Sequence, residues 1–115
     1  MLFRSAIDIG VYPLTLDEWV FGKSGLKAIQ YMAFGIPTVA TDVGTTPRII
    51  DHMRNGWLVR SEDEWLDALE TLANDPALRR CLGEEARRKA VQCFSRNAIQ
   101  GQYLSILEDV RKLPL

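Results

Sequence analysis

Short apolar segments alternate with amphipathic ones along the first half of the chain. The apolar segments are rich in β-branched residues and bounded by proline, glycine or Asn-Gly turn signals, a pattern typical of strands. Three strands are predicted in this way, near residues 6–12, 36–41 and 57–59. Residues 26–34 are rich in helix formers and precede Gly35, so they predict a helix with glycine just beyond its end.

The connections that follow the first two predicted strands are polar and contain turn residues. The stretch from Thr15 to Ser24 holds two acids, a lysine and a glycine, and we expect a loop there. After the second strand, a Gly-Thr-Thr-Pro turn ending at Pro47 leads into a short predicted helix over residues 48–53. Proline suits the first turn of a helix because the N–H that it lacks has no helical partner there.

The second half of the chain predicts helices alone, over residues 62–113. Ser61, Asp75 and Ser95 each precede a helical stretch, and all three are residue types that favour N-caps. Glu64, three residues after Ser61, predicts a capping box. The last helix carries apolar residues along one side: Ile99, Tyr103, Ile106, Val110 and Leu113.

The charges of the middle helix predict a solvated face. The spacings Glu84–Arg88 and Glu85–Lys89 are i,i+4 pairs of the favourable orientation, so we expect two ion pairs on the surface. His52, near a predicted helix end, is expected to be an ordinary surface histidine.

The order of elements predicts an α/β fold. Strands that alternate with helices favour a three-layer, Rossmann-like parallel sheet, followed here by C-terminal helices. Three strands are few for such a sheet, so residues 1–115 are expected to form the second half of a larger domain.

Composition narrows the functional classes. The chain has 14 basic and 15 acidic residues, a net charge of −1, so a basic nucleic-acid module is excluded as the default interpretation. No apolar run approaches the roughly 20 residues that span a bilayer. Two cysteines, Cys81 and Cys93, are too few for a disulfide framework, and a cytoplasmic location is expected. We expect neither a metal ion nor another cofactor.

The glycine-bounded segment Gly22-Lys23-Ser24-Gly25 raises three possible sites. A P-loop would need glycine at position 17, which is Asp17, and a nucleophile elbow would need one residue between the serine and the second glycine. An anion site remains open, because the segment precedes a helix whose first N–H groups are unpaired and because Lys27 adds positive charge. A flexible loop with two solvated lysines explains the same residues equally well.

Three blocks of the chain resemble one enzyme family. Residues 22–44 read GKSGLKAIQYMAFGIPTVATDVG, preceded by DIGVYPL over residues 8–14 and followed by NGWLV over residues 55–59. Together they resemble the donor-binding segment of retaining glycosyltransferases with the GT-B fold, of the family 4 or group 1 type. The resemblance covers nearly the whole chain, with the blocks in the family's order.

The resemblance implies two Rossmann-like domains, of which this chain supplies strands four to six of the second. It implies a nucleotide-sugar donor as ligand and the N-terminal domain of the parent enzyme as partner. The family's Glu-x7-Glu motif aligns with Gly22 and Gln30, so neither glutamate is present. Gln30 can still hydrogen-bond a ribose hydroxyl through its amide. The implied nucleotide-sugar-binding residues are Gly22, Lys23, Ser24, Gly25, Leu26, Lys27 and Gln30.

The function expected from the resemblance is sugar transfer from a nucleotide donor by a longer parent enzyme, which could be membrane-peripheral. No catalytic residue is assigned in this chain, which is expected to be inactive alone. The alternative is a non-catalytic remnant that binds a nucleotide or a partner protein. In the doubly wound order the first predicted strand lacks its neighbour, so self-association as a two-fold dimer is also expected.

Overall fold

The computed structural model describes residues 6–114, which form a three-stranded sheet and a set of helices. The strands are β1 (Gly10–Tyr12), β2 (Thr38–Thr41) and β3 (Trp57–Val59). The helices are α1 (Leu26–Ala33), α2 (Thr46–Ile49), α3 (Glu62–Asn74), α4 (Pro76–Lys89) and α5 (Arg96–Arg111). A 3-10 helix, Glu18–Gly22, lies between β1 and α1, and a π-helical turn, Ala90–Phe94, joins α4 to α5.

The sheet is parallel throughout, with β2 in the middle and β1 and β3 on either side. In the register, Gly10 lies opposite Thr38, and Val39 lies opposite Trp57. The predicted α/β class and parallel sheet are confirmed. Within the described residues, the outer side of β1 has no partner strand.

The first two strands are shorter than the sequence predicts. β1 begins at Gly10 rather than near residue 6, and β2 begins at Thr38 rather than near residue 36. The Gly10 N–H donates to the Pro37 carbonyl at 2.9 Å. Pro37 has no N–H to offer in return, so the ladder between the two strands does not extend upstream of this point.

The apolar side chains of β2 divide the core into two clusters. Ala40 packs with residues of α1 and α2, such as Met32 and Ile49. Val39, which points to the other face, packs with Leu72 of α3 and Leu82 of α4. Adjacent residues of a strand point to opposite faces, so this short strand is covered by helices on both sides.

The three predicted N-caps are confirmed. The Ser61 hydroxyl accepts the Glu64 N–H at 3.2 Å, and a carboxylate oxygen of Asp75 accepts the Leu78 N–H at 2.9 Å. The Ser95 hydroxyl accepts the Ala98 N–H at 3.1 Å and opens α5. These local bonds set where α3, α4 and α5 begin.

The segments around the sheet depart from the sequence predictions in two places. The predicted loop from Thr15 to Ser24 contains the 3-10 helix, which begins where Asp17 accepts the Trp19 N–H at 3.1 Å. The short helix predicted over residues 48–53 is α2, which starts earlier and ends at Ile49. Its early start follows from Thr46, whose buried hydroxyl ties it to the end of β2.

Some charged and polar residues after α2 have other partners than the sequence predicts. Arg88 pairs with Glu85 at i,i+3, and Lys89 pairs with Asp51, so neither predicted i,i+4 pair of α4 forms. Lys89 reaches across because Asp51 and the Arg48 carbonyl both lie within range of its ammonium group. His52 is exposed as predicted, yet its Nδ1 accepts the Leu58 N–H at 3.0 Å.

The last helix stands largely free of the rest of the fold. None of its residues is buried, and its chief contacts are with the preceding π-helical turn. Tyr103 and Ile106, on its predicted apolar side, are 66% and 61% exposed. No helix in the described part of the chain is long and apolar enough to cross a membrane.

Candidate functional site

The candidate site lies at the carboxyl edge of the sheet, where the segments after β1 and β2 meet. The Leu14 N–H donates to the Thr41 hydroxyl at 2.8 Å, which ties the end of β1 to the end of β2. Further along, the Thr45 hydroxyl donates to the Lys23 carbonyl at 3.1 Å. In open parallel sheets ligands bind beyond this edge.

The start of α1 is shaped by Gly25. Its φ of 75° lies in the left-handed region, which glycine adopts without strain. A Cβ at this position would come within 2.2 Å of the Ile49 side chain. Only glycine therefore fits, and the close packing brings the start of α1 directly onto α2.

The first turn of α1 carries unpaired backbone donors. The Ile29 N–H donates to the Gly25 carbonyl at 3.1 Å, which is the first bond of the helix. The N–H groups of residues 26–28 precede that bond and have no acceptor within the helix. Gly25 makes no side-chain cap, and Leu26 and Lys27 are exposed, so the N–H groups of these two residues are available to an anion, whereas Ala28 is fully buried.

Two lysines flank these donors. Lys23 caps the 3-10 helix and is exposed, and Lys27 is exposed on the first turn of α1. The Lys27 ammonium lies 5.9 Å from the centre of the Tyr31 ring, which holds it along the helix. Lys23 lies two residues before the N-cap and Lys27 lies on the first turn, where the helix dipole also favours a negative group.

The structure brings the predicted site residues together in one continuous segment. Gly22 ends the 3-10 helix, and a Cβ on it would have nothing within 4 Å, so open space surrounds it. Gln30 is exposed and lies three residues after Lys27, on the same side of α1. The segment thus offers amides, ammonium groups and a carboxamide, with no carboxylate at either position of the family's acidic motif.

Sequence reasoning missed the threonines that support this segment. The Thr46 side chain is buried; its hydroxyl has the Thr41 and Val43 carbonyls within range of its one proton, the Thr41 carbonyl being the nearer, and it accepts the Val43 N–H at 3.1 Å. Thr45 reaches across to Lys23. A Gly-Thr-Thr-Pro sequence is equally typical of an exposed turn, so it gave no signal of these tertiary bonds.

A second charged region lies beside α4, away from the predicted site residues. Asp51, Arg54, Glu85, Arg88 and Lys89 line a hollow of about 200 Å³. Burial raises the pKa of Asp51, but the hydrogen bond and charge of Lys89, aided by Asn55, leave that pKa below its ordinary value. Within residues 6–114, no three His, Cys, Asp or Glu side chains lie together as a metal site would require.

Comparison with known proteins places the chain in a family. The model of the family described as "Glycosyl transferases group 1" matches residues 2–75. A D-inositol 3-phosphate glycosyltransferase of Pseudarthrobacter chlorophenolicus is 40% identical over 90 residues, which cover 76% of this chain and 20% of that protein. The N-acetyl-alpha-D-glucosaminyl L-malate synthase of Bacillus anthracis is 35% identical over 75% of this chain and 23% of its own length.

The fold of the chain is also similar to parts of solved structures. The sucrose-phosphate synthase of Thermosynechococcus elongatus superposes with a TM-score of 0.75 at 27% identity, over 95% of this chain and 27% of the enzyme. An Anabaena protein in complex with UDP-glucose superposes with a TM-score of 0.79 at 24% identity, over 93% of this chain and 29% of its own. The chain spans about a fifth to a quarter of the curated relatives named above. It belongs to the group 1 glycosyltransferases.

Proposed function

We propose that this chain binds the diphosphate and ribose of a nucleotide-sugar, as part of a longer enzyme that transfers the sugar to an acceptor. The observation that carries the proposal is the uncapped start of α1, with Lys23 and Lys27 beside it, at the carboxyl edge of the sheet. Membership of the group 1 glycosyltransferases supports a nucleotide-sugar as the ligand.

The chemistry of the segment suits a diphosphate. The free N–H groups of Leu26 and Lys27 can each donate to a phosphate oxygen, and the helix dipole adds a favourable field. Lys23 and Lys27 would supply charge-assisted hydrogen bonds, which are stronger than neutral ones. The carboxamide of Gln30 can donate to or accept from a ribose hydroxyl, so it would hold the sugar of the nucleotide without a charge.

The same groups would assist the reaction by stabilising the leaving group, the nucleoside diphosphate. As the bond between the donor sugar and the diphosphate breaks, negative charge grows on the diphosphate oxygens. Backbone amides fixed by the fold would stabilise this charge without rearranging, and the ammonium groups of Lys23 and Lys27 would add to that stabilisation. Gly22, at the position of the family's first glutamate, has no side chain to contact the donor sugar, so that role falls outside this segment.

The alternative is a non-catalytic module that binds a nucleotide or a protein. Replacement of both motif glutamates by Gly22 and Gln30 is what favours this alternative. Against it stand the family membership and the names of the two relatives, one a glycosyltransferase and the other a synthase. The amides and lysines for the diphosphate also remain, and we therefore prefer the transferase.

The test is calorimetric titration of the protein with UDP, GDP and ADP. Lys23→Ala and Lys27→Ala should each weaken binding of the preferred nucleotide about ten-fold or more, as expected for a charge directly on phosphate. Lys112→Ala, at the far end of α5, serves as a control of equal charge change and should bind as the wild type does. Unchanged affinity in both site variants would contradict the proposal.

The ribose contact has a separate test. Pyrophosphate lacks a ribose, so Gln30→Ala should weaken the binding of nucleoside diphosphate severalfold and leave pyrophosphate binding unchanged. Equal losses with both ligands would mean that Gln30 acts on the phosphates or on the helix instead.

A further inference from the structure

Thr45 connects two segments that are far apart in the sequence. Its hydroxyl donates to the Lys23 carbonyl at 3.1 Å, across 22 positions of the chain. The same oxygen lies 3.2 Å from the place where a Cβ of Gly25 would be. The Thr45 hydroxyl therefore bonds to one end of the three-residue turn that leads into α1 and lies close to the other end.

The Thr45 hydroxyl does not form the hydrogen bond that is usual for a threonine at this position. Thr45 is the N-cap residue of α2, and an N-cap threonine usually accepts an N–H of the first helical turn. Here it makes no side-chain cap bond, and its hydroxyl is directed to Lys23 instead. The backbone of Thr45 is in the right-handed helical region rather than the extended conformation of an ordinary N-cap, and its hydroxyl donates to the turn before α1.

The backbone of Thr45 is itself held firmly. Its carbonyl accepts the Arg48 N–H at 3.0 Å, and the buried hydroxyl of the next residue, Thr46, bonds to the end of β2. On the other side of the contact, the Lys23 N–H donates to the Val20 carbonyl at 3.2 Å. Both partners of the hydrogen bond are thus fixed by the fold.

We infer that Thr45 is a positioning residue, which sets the direction of the Lys23–Ser24 peptide and thereby aims the first N–H groups of α1. Its one hydroxyl proton is given to the Lys23 carbonyl, so it does not donate to a ligand as well. Its effect on ligand binding rests on the proposed function above. Its effect on the order of residues 22–28 does not.

The inference predicts different effects for two substitutions of Thr45. Thr45→Val keeps the shape of the side chain and removes the hydroxyl, whereas Thr45→Ser keeps the hydroxyl. Without ligand, hydrogen exchange of the bonded Lys23 and Ile29 amides, on either side of the turn, should be about three- to ten-fold faster in Thr45→Val, the effect of one lost hydrogen bond, and near the wild-type rate in Thr45→Ser. Thr71→Val, on α3, controls for the loss of a threonine hydroxyl elsewhere and should leave this segment unchanged.

Titration with UDP provides the second readout. Thr45→Val should bind UDP about three- to ten-fold more weakly than the wild type, and Thr45→Ser should restore the affinity. If exchange of the Lys23 and Ile29 amides is the same in Thr45→Val and the wild type, the inference is overturned. If exchange changes but the wild type binds no nucleoside diphosphate, the positioning role stands and the proposed function fails.

Discussion

Gly25 lies against Ile49 so closely that no side chain fits between them. A Cβ on the glycine would be 2.2 Å from the Cδ1 of Ile49, well inside any normal contact. Ile49 is only 4% exposed and belongs to the core, so it has little freedom to move aside. The start of α1 is therefore fixed by its packing on α2 as well as by the backbone of the glycine.

Substitution of Gly25 by alanine is expected to destabilise the fold by roughly 2–4 kcal/mol. The new methyl group both meets Ile49 and forces a non-glycine residue into the left-handed region. Gly22→Ala is the matched control, because a Cβ there meets nothing within 4 Å. Urea unfolding of the two variants measures the difference, and equal stabilities would show that the contact with Ile49 is easily relieved.

The stability contributed by Asp51 should depend on pH. Its carboxylate accepts from the Lys89 ammonium at 3.2 Å and from the Asn55 amide at 2.9 Å, and its pKa lies below the ordinary 3.8. Because the pKa is lower in the folded state, the contribution is fully present above the unfolded-state value. It is lost as the pH falls through the folded-state value.

Asp51→Asn should accordingly lower the free energy of unfolding by up to about 1 kcal/mol at neutral pH, as partly exposed pairs do. The difference from the wild type should shrink below about pH 4. Glu85→Gln, which removes the carboxylate of the exposed pair with Arg88, is the control. A difference that persists unchanged at acid pH would mean that the charge of Asp51 is not what stabilises the fold.

The sequence predicted those features of the fold that depend on neighbouring residues. Ser61, Asp75 and Ser95 bond to N–H groups three residues ahead, so their spacing alone located three helix starts. The length of β1 depended instead on Pro37, directly before the adjacent strand, and the partner of Lys89 depended on Asp51, 38 residues away. Distant contacts of this kind leave no local pattern.

In the candidate site, too, the local features could be predicted from the sequence and the distant contacts could not. The Gly-bounded approach to α1 could be predicted because glycine at a helix start and lysines on its first turn are local features. The supporting bonds from Thr45 and Thr46 could not, since they depend on how the segment after β2 folds back onto Lys23 and Thr41.

We expect the 115-residue chain to self-associate, most simply as a two-fold dimer. The outer side of β1 has no partner strand within the described residues, and Ile106 and Val110 of α5 are 61% and 57% exposed. Trp65 and Leu69 of α3, by contrast, are partly buried and pack against the core. Light scattering over a range of concentrations measures the mass, and a monomer throughout would contradict the prediction.

The part of α5 in that association can be tested separately. Ile106→Glu places a charge on the apolar side of the helix and should shift the equilibrium toward monomer. Ser105→Glu changes the adjacent, exposed residue on the other side of the helix and should leave the mass unchanged. If both variants behave as the wild type does, the association runs through another surface, such as the edge of β1.

The 115-residue chain alone is expected to transfer no sugar. It matches only 20% of one curated relative and 23% of another, and Gly22 and Gln30 provide no carboxylate at the family's acidic positions. The measurement is release of UDP from UDP-glucose, or of GDP from GDP-mannose, in the presence of candidate acceptors. Turnover above that of a Lys23→Ala, Lys27→Ala double variant would contradict the prediction.

The exposed 3-10 helix carries Trp19, whose fluorescence can be used to follow this part of the chain. Trp19 is 85% exposed. The other two tryptophans of the chain, Trp57 and Trp65, are half-buried. Trp19 therefore emits as a water-exposed fluorophore, at longer wavelength than the other two, and is the one that a soluble quencher reaches first. The helix that carries it ends at Gly22, directly before Lys23. The chain thus contains its own fluorescent reporter at the entrance to α1, which needs no added label.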